Sequence, residues 1–182
     1  MRQLKDHEKK LLRKVNLYSW KGADENIRVA KILRRYLIQN REDYVSYTRL
    51  CGLVQQLSRK LKALKPDDPF RIAMSEQLLQ KLNNLGLINS TSSLQKADDL
   101  PASAFCRRRL PVLLCRLKMA QTMKIAVSLV EQGQIRVGVN VVTDPSYLVS
   151  KNMEDYVTWV DGSKIKRTIS KYNDTLDDFD LL

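Results

Sequence analysis

Within thirty residues the chain places Arg107, Arg108, Arg109, Arg116, Lys118, Lys124 and Arg136, against one acid, Glu131. The chemistry this set can do is charge recognition. The planar guanidinium fork matches paired phosphate oxygens, and each phosphate neutralised releases condensed counterions. Thr122 adds a site of a different kind. As the cap of a helix over 123–132 it leaves the first backbone N–H groups facing solvent, an arrangement suited to an anion. On a continuous helix, adjacent arginines point about 100° apart. Arg107, Arg108 and Arg109 then fan over roughly 200°, and at least one faces away from the core; the rival reading is that they pair with acids inside the protein, such as Glu154 or Asp155. These eight residues, with Thr122 counted, are the candidate contacts to a phosphate-rich polymer.

Other chemistry finds little support. Cys51, Cys106 and Cys115 are widely spaced, with no CxxC pair, and His7 lies far from them, so reduced, packed thiols are expected rather than a zinc site. Asp67-Asp68 and Asp98-Asp99 are carboxylate pairs near prolines, and read as caps and turn residues. The sequence has no glycine-rich phosphate loop, nucleophile elbow or paired-histidine motif. It reads as a binding protein without cofactor or metal, not an enzyme.

The charge pattern across the chain agrees. Of 32 Lys and Arg against 20 Asp and Glu, residues 1–66 carry 17 against 6, and residues 67–106 carry 3 against 5. Residues 174–180 carry four acids and no base. Two basic regions, a neutral middle and an acidic tail imply a polyanionic partner. The basic segments lack the aromatic apolar face of a membrane-surface helix. MRQLKDHEKKLLRKV has no apolar signal core, and no run of about 18 apolar residues occurs, so a nucleocytoplasmic protein is expected.

The elements that must position these residues follow from periodicity. Leu4, Leu11, Leu12 and Val15 share a face of a basic helix, and Asp24 caps a helix bearing Ile27, Ala30, Leu33 and Leu37. Tyr47, Leu50, Val54, Leu57, Leu61 and Leu64 form one apolar stripe over 41–64, stopped by Pro66. Phe70 to Leu85 forms a further helix closed by Gly86. Residues 88–102, rich in Ser, Thr and Asp, read as a linker. A helix over 104–119 follows, broken near residue 110 by Pro111. After the helix closed by Gly133, the period becomes strand-like at Ile135–Val137, Val141–Val142 and Tyr156–Val160. The expected fold is α+β: a helical region 1–87, the linker 88–102, two helices on a short antiparallel sheet over 103–161, and an extension 162–182.

One family carries this pattern. Arg109-Leu110, Leu114 to Thr122, Ala126, Val130 to Gly138, Val141-Val142 and Asp144 to Val149 resemble, in order, the alpha-L RNA-binding domain of ribosomal small-subunit protein S-four. Asn40-Arg41-Glu42-Asp43-Tyr44, Cys106 to Pro111, Met153 to Asp161 and Ser163 to Lys166 are similar to its S-four-like branch in the U3 small nucleolar ribonucleoprotein. The pattern departs from the broad domain at Pro111, Val127 and the turn Val137-Gly138-Val139-Asn140.

The resemblance implies RNA binding through Arg107, Arg108, Arg109, Arg116, Lys118, Thr122, Lys124 and Arg136. It implies a nucleolar role in early processing of the small-subunit ribosomal RNA precursor, by binding U3 small nucleolar RNA and promoting its pairing with pre-ribosomal RNA. It also implies docking on an acidic scaffold, M-phase phosphoprotein ten, among other processome proteins. The competing readings are a permanent small-subunit ribosomal protein and a protein–protein adaptor with no direct RNA role.

Overall fold

The computed structural model describes residues 3–12 and 21–175. The chain divides into two compact units, Met1–Arg35 and Tyr36–Leu182. The first holds α1 (Asp6–Leu12) and α2 (Lys21–Arg35). The helix expected to start at an Asp24 cap begins at Lys21 and runs through Gly22, because the break residues are still compatible with helix. Val15 and the acids from Asp177 onward lie outside the described residues.

The second unit is organised around α3 (Arg41–Ala63). Its end is set by Pro66, which drives the preceding residues out of helical backbone; Leu64 is already extended at ψ 159°. Asp68 then caps α4 (Pro69–Asn84) by accepting from the Phe70 N–H, with Pro69 in the first turn. The helix closes at Gly86, φ +72°, whose N–H donates to Asn83 while that of Leu87 donates to Leu82.

The buried face of α3 is not the expected stripe. Tyr47, Cys51, Ser58 and Leu61 face inward, whereas Leu50, Leu57 and Leu64 stay substantially exposed. The periodicity of 41–64 marks an apolar surface wider than the face that packs. Residues 88–102 supply part of the packing: α5 (Gln95–Asp98) lies on α3, Ala97 and Leu100 are buried, and the Ser58 hydroxyl donates to the Leu94 carbonyl. Their polar composition suits the exposed turns between those anchors.

Beyond them come α6 (Ala102–Arg107), α7 (Leu110–Arg116) and α8 (Met123–Glu131), then β1 (Ile135–Val137), β2 (Asn140–Val141), a 3-10 turn (Lys151–Tyr156), β3 (Val157–Trp159) and α9 (Lys164–Tyr172). The sheet order is β2-β1-β3, antiparallel throughout, with Ile135 opposite Trp159 and Val137 opposite both Asn140 and Val157. The α+β expectation therefore holds. Leu110, Leu113 and Leu114 of α7, Ala126 and Val130 of α8, and Ile135, Val137, Val149 and Val157 form one core.

The break at Pro111 also holds, with consequences for its neighbours. Pro111 sits in the first turn of α7, where its missing N–H costs nothing. The chain leaves helix after Arg108, and Arg109, at ψ 141°, lies between α6 and α7 in extended register with the segment after Pro145. The Leu110 N–H donates to Tyr147 at 2.9 Å, that of Val149 donates to Arg108 at 2.9 Å, and Arg109 bridges Leu148. Asp144 folds this partner segment by accepting from the backbone N–H and hydroxyl of Ser146. Both arginine side chains turn inward. Arg108 is 5% exposed and Arg109 2%. Arg108 donates from Nε to the Val149 carbonyl and from Nη1 to Glu154; Arg109 pairs with Asp43 of α3 at 3.2 Å. Beside that pair, Tyr47 of α3 stacks on Phe105 of α6 with centroids 5.7 Å apart.

Two outcomes follow. Arg109→Ala leaves the Asp43 carboxylate without its cation and opens a large void; urea unfolding of the full chain should show a loss of about 3–5 kcal/mol. Asp144 lies below the usual carboxylate range, first because the Ser146 hydroxyl and then its N–H donate to it. A depressed carboxyl stabilises the fold above its unfolded pKa of about 4 and loses that contribution as pH falls through its folded value. The gap in urea midpoint between the native chain and Asp144→Asn should thus be open at neutral pH and close below about pH 4.

Candidate nucleic-acid interface

The eight candidate residues do not share one surface, and each position has a local cause. Arg107 ends α6 with its side chain exposed. Arg108 is the C-cap of α6 and Arg109 the N-cap of α7, so no continuous helix fans the three arginines; that expectation fails at the bend Pro111 imposes. Burial draws the Arg108 pKa down, yet a guanidinium retains its charge at any physiological pH. Arg108 and Arg109 thus bring buried positive charge to acids distant in sequence by 46 and 66 residues.

Arg116, the last residue of α7, is exposed and reaches the second oxygen of Glu154, so one carboxylate holds Arg108 and Arg116 together. The helix ends there and not at residue 119. Leu117 caps it, Lys118 adopts the left-handed conformation at φ +61°, and the Met119 N–H returns to the Leu114 carbonyl at 2.9 Å. A left-handed lysine is strained by about 1 kcal/mol, which the surrounding packing must hold. The turn carries the Lys118 amine into solvent.

Thr122 caps α8 as expected, its hydroxyl accepting from the Ile125 N–H. Lys124 stands exposed in the first turn of the same helix. Lys118, Thr122 and Lys124 therefore cluster around one helix start, where backbone N–H groups and the helix dipole add positive potential. Arg136 is elsewhere. With Ile135 and Val137 buried against the helices, strand alternation sends Arg136 to the opposite face of the sheet. There it donates to Thr158 across the strand pair and pairs with Asp161 at 2.6 Å, an acid shared with Lys166. The hydrogen bond from Lys166, then the charge of Arg136, holds the Asp161 carboxyl below its ordinary range.

The structure brings together two groups, Arg108 and Arg116 on Glu154, and Arg136 and Lys166 on Asp161, while Lys118, Thr122 and Lys124 are neighbours in sequence at the start of α8. No described acid pairs with Arg107, Lys118 or Lys124. Asp43 and Asp161 were invisible as partners because their pairing is set by tertiary approach. Of the carboxylate pairs, Asp68 caps α4 as expected, whereas Asp98 ends α5 and pairs with Lys62, whose hydrogen bond keeps its carboxyl below the usual range. The three cysteines are free, and burial raises each thiol, Cys106 to about 11.

Comparison with known proteins accounts for both halves of the chain. Residues 3–107 match the ribosomal protein S4/S9 N-terminal domain and residues 108–155 match the S4 domain. U3 small nucleolar ribonucleoprotein protein IMP3 of Mus musculus is 51% identical over 181 residues, covering 100% of this chain and 98% of that protein. The protein of the same name from Saccharomyces cerevisiae is 50% identical over 181 residues, covering 99% and 98%. Small ribosomal subunit protein uS4 of Picrophilus torridus is 31% identical over 134 residues, 73% of each chain. With both domains matched in order and the full length shared at such identity, the chain belongs to the S4 family, in the branch formed by the U3 small nucleolar ribonucleoprotein proteins IMP3.

Proposed function

We propose that the chain binds RNA as a subunit of the U3 small nucleolar ribonucleoprotein in the nucleolus. In this reading it grips U3 small nucleolar RNA, promotes its pairing with pre-ribosomal RNA during early small-subunit processing, and carries out no bond-making step. The observation that carries the RNA reading is the exposure of Lys118 and Lys124 without a described acid beside them, at and just before the open N-terminus of α8. Charges already matched within the fold gain little from a phosphate; unmatched ones release counterions. Arg108 and Arg109 act in this reading by fixing the bend from which Arg107 projects.

Docking on an acidic scaffold such as M-phase phosphoprotein ten has separate support. Leu57 and Leu61 of α3, with Leu64 just past its end, line an apolar groove together with Phe70, Met74 and Leu78 of α4, as do Lys60 and Lys81. An apolar floor with a basic rim fits an acidic amphipathic segment. The identity to the archaeal ribosomal protein favours a second reading, a permanent subunit protein. Sedimentation separates the two, since an assembly factor travels with precursor particles and leaves mature subunits.

The RNA reading is tested by titrating the full chain with an RNA hairpin carrying a single-stranded flank, over a range of salt. Lys118→Gly with Lys124→Ala should lower the slope of log affinity on log salt by about 1.8 for duplex contacts, or about 1.4 for single-strand contacts. Because glycine relieves the left-handed strain, unfolding free energy should stay within about 1 kcal/mol of the native chain. A native affinity indifferent to salt would refute the reading.

A further inference from the structure

A second cluster of bases lies at a pocket that neither the helix start nor the outer sheet face contains. The pocket holds about 480 Å³ and is open to solvent. Lys96, Arg107, Arg108 and Arg116 line it, together with Gly86 to Asn89. Asp99 is the acid in that lining, and Glu154 holds Arg108 and Arg116 from one side. Four cations against two carboxylates leave the site positive.

Three details make it a built site. First, Arg108, though almost wholly buried, has an Nη2 with no hydrogen-bond partner in the protein. A buried guanidinium donor without an acceptor is costly, and an entering oxyanion would supply one. Second, Gly86 is pressed against that guanidinium. A Cβ at Gly86 would stand 2.9 Å from Arg108 Cζ and 3.0 Å from Nε, so only glycine allows the backbone this close, and φ +72° suits it. Sandwiched by Gly86 and tied to Val149 and Glu154, the group is held in place before any ligand arrives. Third, the remaining cations are under-neutralised. The Lys96 amine meets only the hydroxyls of Ser90 and Ser92, and Arg107 has no described partner.

We infer that this pocket binds one phosphate of the RNA chain, apart from the contacts at Lys118 and Lys124. Converging donors from an ammonium and several guanidiniums match the tetrahedral oxygens of a phosphate better than a planar carboxylate. The volume exceeds that of a phosphate alone, leaving room for the attached sugar. This assignment rests on the RNA reading above.

The test uses the full chain and the same hairpin, with Lys96→Gln and Arg107→Gln combined. Both side chains are exposed, so the fold is expected to persist, and thermal melting verifies it. The double variant should bind the hairpin roughly tenfold more weakly, with a salt slope lower by about one to two. In parallel, inorganic phosphate is titrated at constant ionic strength and followed by backbone amide resonances. Gly86, Leu87 and Asn89 should shift saturably in the native chain and not in the double variant. If the double variant keeps native RNA affinity and slope while the Lys118/Lys124 variant loses them, the RNA reading stands and the pocket assignment falls. If inorganic phosphate binds but RNA affinity is unchanged by the double variant, the pocket takes a free phosphate and the assignment to RNA is overturned. If the native chain binds no hairpin, both readings fall together.

Discussion

The structure depends on two positive charges buried side by side. Arg108 and Arg109 stand at the junction of the matched S4/S9 N-terminal and S4 domains, which meet between Arg107 and Arg108. One guanidinium reaches back to Asp43 in the first of these, and the other reaches forward to Glu154 in the second. Between them the backbone hydrogen bonds to Tyr147 and Val149 close the segment into a bridge. Desolvating two such groups is expensive, and attraction to the acids repays that only in one geometry. The junction is consequently intolerant of sliding or rotation. A purely apolar contact would be as stable and far less specific about angle.

That constraint explains features that otherwise look unrelated. Pro111 must follow closely, since its place in the first turn of α7 starts that helix directly after the extended Arg109. Asp144, Pro145 and Ser146 must turn the chain tightly to offer Tyr147 and Val149 as partners. Gly86 must lack a side chain because the Arg108 guanidinium lies on it. Tyr47 must be aromatic to stack on Phe105 directly beside the Asp43–Arg109 pair, and burial there raises its phenol pKa against the lowering effect of Arg109.

Local features were legible in the sequence, and long-range pairing was not. The caps at Thr122 and Asp68, the closures at Gly86 and Gly133, the break near Pro111 and the switch to strand period after Gly133 each follow from a few neighbouring residues. The S-four pattern was legible for the same reason, being a string of such signals in fixed order. The arginine run misled because a charge run ordinarily lies in solvent, and nothing local reveals an acid waiting 66 residues away. The inward face of α3 was misread because its apolar residues exceed what one face can bury, leaving Leu50 and Leu57 exposed. Lys96 was passed over because its surroundings have the composition of a linker, although Ala97 beside it is fully buried.

Rigidity at the junction has a functional consequence. The apolar groove between α3 and α4 precedes the Arg108–Arg109 junction in the chain, and the helix start at Lys118, Thr122 and Lys124 follows it. If the two domains hinged freely, a protein held at the groove would leave the basic cluster free to wander, and ordering it on RNA would cost conformational entropy at each encounter. With two buried arginines ion-paired across the junction, much of that ordering is completed on folding. Arg109, buried and paired with Asp43, therefore has a positional part: it helps fix where the exposed cations stand. This also reconciles a strongly basic segment with a modest exposed cluster, since charge within residues 107–136 is divided between fixing the scaffold and facing the ligand.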